Sequence, residues 1–222
     1  LNLVKAVLAD SNDRVRLAAL VAGANLTPNP EIAGAVVAAW PTFKDPYLEA
    51  AALAMAAKDP LVFVNAVFAA PDPSKASGMV PQLARLVAIQ NKAESARALV
   101  LALASYPAGT DALKASALEA LVANLKTDAK PSADAELGAA LKQLLASGTT
   151  AGPVLPLIAR WEFSSQVGEA AKGAVKQAEA RLADKSLADG VRAQIAANLL
   201  GVRNLDPSIL PAVIQLIGGE SS

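Results

Sequence analysis

Carboxylates are the side chains of this sequence best suited to catalysis, because histidine and cysteine are both absent. Acid–base chemistry needs two carboxyl groups that converge in a pocket and have separated pKa values. The aspartates instead stand singly at predicted helix starts or in links, where N-capping and the helix dipole account for them. They are Asp10, Asp13, Asp45, Asp59, Asp72, Asp111, Asp128, Asp184, Asp189 and Asp206. We therefore predict no acid–base site and no enzyme.

Other common site chemistries also lack their residues. Without histidine or cysteine these 222 residues cannot hold a Cys or His nucleophile, a Cys/His zinc site or a His-ligated haem. The link 128–134 has two aspartates around a lysine, which is unlike a calcium loop. Ser164 and Ser165 have no histidine base, although a Ser–Lys pair stays open, and no glycine-rich phosphate-binding motif occurs. We expect no catalytic, cofactor-binding or metal-binding residues and no cofactor.

The composition predicts an all-α fold. Hydrophobic residues make up 54% of the chain, nearly a quarter of it is alanine, and aromatic residues reach only 4%. Alanine favours helices and is depleted in strands. Apolar residues recur with helical spacing, and Asp45, Asp59 and Asp206 each precede a proline, as an N-cap precedes the first helical turn. The predicted helices are 2–9, 12–26, 30–40, 46–57, 60–69, 79–89, 92–105, 111–126, 133–147, 153–162, 165–183, 188–201 and 207–217.

Several segments recur along the chain. The segment 40–51, which begins W-P-T-F, returns with one deletion as 161–171, and 13–20 returns as 189–200. A weaker copy lies at 94–101. The period is about 33 residues early and longer in the middle, so we expect a diverged natural repeat.

The repeated D-x-V-R start, followed by alanines and leucines, resembles the first helix of a HEAT repeat. This resemblance implies one right-handed α-solenoid domain over 1–222, with five or six helix hairpins and an irregular middle around 106–150. It also implies that Asp13, Arg16, Asp189 and Arg192 form an inter-repeat ladder. The alternative for Arg16 and Arg192 is an anion site, since each acid–base pair lies three residues apart on one helix face.

Two tryptophans close equivalent helices of the best-matched segments. Trp40 with Phe43 corresponds to Trp161 with Phe163. Exposed tryptophans would be interface anchors. The alternative is that both fill the space between successive helices in a core of alanine and leucine.

Part of the chain resembles a more specific family. The D-P-Y-L-E-A-A stretch at 45–51, L-A-R-L-V-A at 83–88 and the V-R…L-L-G pattern of 191–201 occur in an order similar to that of large planctomycete- and verrucomicrobia-type proteins. Those proteins resemble sugar dehydrogenases with a β-propeller, a HEAT-like segment and a c-type cytochrome domain. The resemblance implies an exported electron-transfer protein whose catalytic and haem residues lie outside this chain.

Charge and hydropathy restrict the partners that we expect. The 20 basic and 20 acidic residues cancel, and without a basic stripe we expect no nucleic acid. No apolar run reaches the roughly 20 residues of a membrane span, so we expect no membrane insertion. The predicted end helices have apolar outer faces that include Ile214 and Ile217, which predicts a fragment of a longer chain and self-association through uncapped ends. We therefore predict a scaffold or docking module for proteins or neighbouring domains, with the spacer of a dehydrogenase-like protein as the alternative.

Overall fold

A computed structural model describes residues 6–203 and 209–218, and every regular element in these residues is a helix. The predicted all-α class is thus confirmed. Residues 6–8 are helical and belong to α1. The helices that follow are α2 (Asp13–Gly23), α3 (Pro30–Ala39), α4 (Pro46–Ala56), α5 (Pro60–Phe68), α6 (Met79–Ile89), α7 (Ala93–Ser105), α8 (Asp111–Asn124), α9 (Ala135–Leu145), α10 (Ala151–Arg160), α11 (Ser164–Ala183), α12 (Asp189–Gly201) and α13 (Ile209–Gly218).

Side-chain caps fix where many of these helices begin. Asn12 accepts a hydrogen bond from the backbone N–H of Arg14 at the start of α2. Asp45 and Asp59 cap α4 and α5 in the same way, and proline occupies the next position in both helices. The missing N–H of proline costs nothing there, because the first helical N–H groups have no intrahelical acceptor. The predicted caps at Asp45 and Asp59 are confirmed, whereas Asp206 lies outside the described residues.

The helices pack in two layers. Each even-numbered helix from α2 to α10 contacts the next even-numbered helix, and each odd-numbered helix from α3 to α11 contacts the next odd-numbered one. Sequential helices such as α5 and α6, or α10 and α11, join the layers. From α2 to α10, each helix therefore packs mainly against a helix two positions away along the chain.

A continuous apolar core lies between the layers. Its largest fully buried side chains are Trp161, Phe63, Phe163, Leu20, Leu48, Met79, Leu83, Leu99, Leu103, Leu118, Leu121 and Leu137. Gly23 of α2 leaves space for the side chain of Met55 in α4, because a Cβ added at Gly23 would lie 2.2 Å from the terminal methyl carbon of Met55.

Among the described residues no single helix is long and apolar enough to cross a membrane.

Candidate functional site

Arg16 lies in a buried, hydrogen-bonded position at the start of α2. Its guanidinium pairs with the carboxylate of Asp13 and donates from Nη1 to Oγ1 of Thr42 over 2.8 Å. The same group lies 5.6 Å from the centre of the Phe43 ring, within range of a cation–π contact. These contacts join α2 to the turn that ends the next helix in the chain, α3.

Arg192 occupies the corresponding place on α12. Its Nε donates to the Leu182 carbonyl at the end of α11 over 3.1 Å, and its Nη1 lies 3.7 Å from Oδ1 of Asp189. Arg16 therefore binds the turn that follows the next helix, and Arg192 binds the end of the preceding helix. The ladder between successive repeats and the anion site both stay predictions.

Both tryptophans are buried. Trp40 is 8% exposed and packs edge-on against Phe43 with 6.1 Å between ring centres. Trp161 is 1% exposed, and its indole Nε1 donates to the Ala129 carbonyl over 2.9 Å. This burial favours the core-filling alternative over an exposed interface anchor.

The structure describes the side chain of only one of the two isoleucines that we predicted at the C-terminal end. Ile214 of α13 is 61% exposed, and Leu210 beside it is 43% exposed. The side chain of Ile217 lies outside the described part of the structure. Self-association through this end stays a prediction.

Side chains at helix ends cap the carbonyls of the helix two positions earlier, a feature that the sequence did not indicate. In the even layer, Lys58 donates to Leu26, Gln90 to Ala57, and Arg160 to Val122 and Leu125. In the odd layer, Arg181 donates to the Gly148 carbonyl over 2.8 Å. We call these carbonyl-capping contacts. The Ala57, Val122 and Leu125 carbonyls lie in or just after the last turn of a helix, where no intrahelical donor is available. The Leu26 and Gly148 carbonyls lie three residues beyond the ends of α2 and α9.

Gln90→Ala should lower the free energy of unfolding by about 0.5–1.5 kcal/mol, since it removes one such hydrogen bond from a partly buried carbonyl. Its Nε2 lies 3.0 Å from the Ala57 oxygen. Gln82→Ala, on the exposed face of helix α6 that Gln90 follows, is the matched control and should stay within about 0.5 kcal/mol. Urea unfolding curves measure both variants. Equal effects of the two substitutions would contradict a capping role for Gln90.

A polar cleft of about 410 Å³ lies where α8, α10, α11 and α12 meet. We call it the polar cleft and define it by these lining residues: Ala115, Glu119, Gly148, Thr149, Ala151, Gly152, Pro153, Leu155, Ala174, Gln177, Ala178, Arg181, Gly190, Val191, Gln194, Ile195, Asn198 and Leu199. Its volume falls in the range of small-molecule and peptide side-chain sites. The lining combines one acid, one base, three side-chain amides and the hydroxyl of Thr149 with glycines and apolar side chains.

Glu119 is the carboxylate of the polar cleft. It lies in the middle of α8 and is partly buried, and burial raises its pKa above the ordinary value. No hydrogen bond or ion pair links it to another described residue. A carboxylate that loses water without gaining a partner is costly when ionised.

Asn198 and Gly152 also line the polar cleft. Asn198 is 9% exposed, and its Oδ1 accepts from Nε2 of Gln194 over 3.3 Å. Its Nδ2 lies 3.5 Å from the position of a Cβ at Gly152. Pro156, inside α10, has no N–H to donate to the Gly152 carbonyl four residues earlier. Sequence reasoning missed this site, because a single mid-helix glutamate carries no motif.

Two further cavities differ from the polar cleft in chemistry. One lies between α3 and α5 and is lined mainly by alanine, proline and valine, and another beside α2 is lined by apolar residues and Arg14. No group of three or more acidic side chains that could hold a metal ion occurs among the described residues.

Comparisons with protein-family models, with characterised proteins and with solved structures gave no match. The HEAT-like and dehydrogenase-like resemblances therefore stay predictions.

Proposed function

We propose that this protein is a non-enzymatic docking module, built as a right-handed α-solenoid of five or six HEAT-like hairpins. The carbonyl-capping contacts carry this proposal. Lys58, Gln90 and Arg181 bind carbonyls 32 or 33 residues earlier, and Arg160 binds carbonyls 35 and 38 residues earlier. A contact that recurs at a separation of one helix pair is what stacked units of one repeat produce, and the longer separation at Arg160 fits the longer period in the middle of the chain.

The exposed surface of the even layer supports a docking role. Large apolar side chains stand exposed in the first turn of three even helices: Val15 on α2 at 39%, Tyr47 on α4 at 71% and Val191 on α12 at 42%. Tyrosine is enriched at the centres of protein interfaces. A partner that runs along the even layer would contact side chains in equivalent positions of several units.

The balance of charge supports a protein partner. The 20 basic and 20 acidic residues give no net charge, and many of them pair with one another, as Arg97 does with Asp134 and Glu136. Binding to nucleic acid requires unpaired cations along the phosphate backbone. The partner is a separate protein or a neighbouring domain of the same polypeptide.

Tyr47→Lys combined with Val15→Lys should weaken partner binding by about tenfold, the size expected when an apolar interface contact is lost and a charge is introduced. Proteins recovered with the wild-type chain from native extract are purified, and calorimetry measures the affinity of each reconstituted complex. Gln82→Lys on the exposed face of α6 is the matched control and should bind as the wild type does.

Two results would overturn the docking function. One is the absence of any stoichiometric protein complex with the wild-type chain. The other is turnover of a small-molecule substrate by the purified protein.

A further inference from the structure

We propose that the polar cleft binds the ammonium group of a lysine side chain that a partner protein presents in an extended segment. This inference rests on the proposed docking function and names the chemistry of one contact. Nothing in the sequence pattern singles out this cleft, which arises from four helices that meet in space.

The carboxylate of Glu119 supplies the reason for a cationic ligand. It is partly withdrawn from water, and no described residue donates to it or pairs with it. A cation that enters the cleft restores the electrostatic stabilisation that burial removes from the carboxylate. The raised pKa of Glu119 is consistent with a site that lacks its counterion.

Acceptors other than Glu119 suit the three N–H donors of an ammonium group. The Gly152 carbonyl lacks its usual helical donor because Pro156 stands four residues later. Gln194 uses its Nε2 for Asn198, which leaves its Oε1 as an acceptor in the same lining. A lysine ammonium is compact and donates in several directions, whereas a guanidinium needs a planar set of acceptors.

The apolar part of the lining suits the lysine stem. Ala115, Leu155, Ile195 and Leu199 line the same cleft. Lysine commonly places its methylene groups along apolar surface while the charged end reaches a polar partner. Arg181 already donates to the Gly148 carbonyl, and its other N–H groups can donate to main-chain carbonyls of the bound segment.

A blocked lysine, N-acetyl-lysine methylamide, is the test ligand, and NMR titration follows the backbone amides of Gly152, Gln194 and Asn198. We expect saturable shifts at these amides with the wild-type protein. Acetylation of the ε-amine of this compound removes its charge and should weaken binding by at least about tenfold, since a hydrogen bond to a charged group contributes energy of that order.

Glu119→Gln keeps the shape of the side chain and removes its charge, so it should fold as the wild type does and also weaken lysine binding by about tenfold. Glu94→Gln, at an exposed glutamate outside the cleft, is the matched control and should bind as the wild type does. Equal binding of the acetylated and free amines would overturn the proposal. So would undiminished binding by Glu119→Gln, and so would the absence of shifts at the cleft.

The docking function and the lysine site fail in different ways. A protein partner that binds Glu119→Gln as tightly as the wild type overturns the lysine site and leaves the docking function intact. The absence of any protein partner overturns the docking function, while lysine binding in the cleft is still measured directly by the titration.

Discussion

Trp161→Ala should lower the free energy of unfolding by about 3–5 kcal/mol, the largest effect that we expect from a single substitution in this chain. The indole is 1% exposed and lies in the core between the two layers. Its removal leaves a cavity in the core, and it also leaves the Ala129 carbonyl without its donor. Chemical denaturation with tryptophan fluorescence and circular dichroism measures the loss.

Trp161→Phe separates the hydrogen bond from the packing. It retains most of the buried ring volume but removes the N–H that donates to Ala129, so we expect a loss of about 1–3 kcal/mol. Trp40→Phe is the matched control, because Trp40 is also buried and no described residue accepts from its indole. The Trp40 substitution should therefore cost less than the Trp161 substitution. The reverse order would contradict a role for the indole hydrogen bond.

Arg16→Ala should lower the free energy of unfolding by about 1–3 kcal/mol, because it removes two hydrogen-bonded contacts and the packing over Phe43. Arg14→Ala is the matched control: Arg14 stands on the same helix two residues earlier, is exposed, and should stay within about 0.5 kcal/mol. Thermal melts of the two variants measure the difference.

The same pair of variants tests the alternative assignment of Arg16 to an anion site. An anion-binding arginine would leave stability almost unchanged and would make the wild-type melt depend on added phosphate. A phosphate-dependent melt that Arg16→Ala abolishes, with little loss of stability, would contradict the structural role. A loss of 1–3 kcal/mol without phosphate dependence would support it.

The local sequence by itself determined the helices and most of their starts. Alanine content and helical spacing predict helix almost throughout, and Asp45-Pro46 and Asp59-Pro60 specify two starts that the structure has at the same residues. These features depend on neighbours within four residues, and intrinsic propensity and capping act at that range. The start predicted at Asp206 lies outside the described residues.

The tertiary structure alone decided which side chains were buried and which distant residues they contacted. The sequence places Trp161 at the end of a helix but does not say whether its ring faces solvent or core. The packing of α10 brings its indole N–H to the Ala129 carbonyl. Gln90 and Arg181 carry no local signal for capping, because their acceptors lie 33 residues earlier in the chain.

Glu119 shows the same limit at the candidate site. In sequence it is one acid on an alanine-rich helix, which is normally a solvated position. It becomes a partly buried carboxylate in a cleft that residues of α10, α11 and α12 also line. Desolvation depends on all atoms within several ångströms, and most of those atoms belong to helices that are distant along the chain.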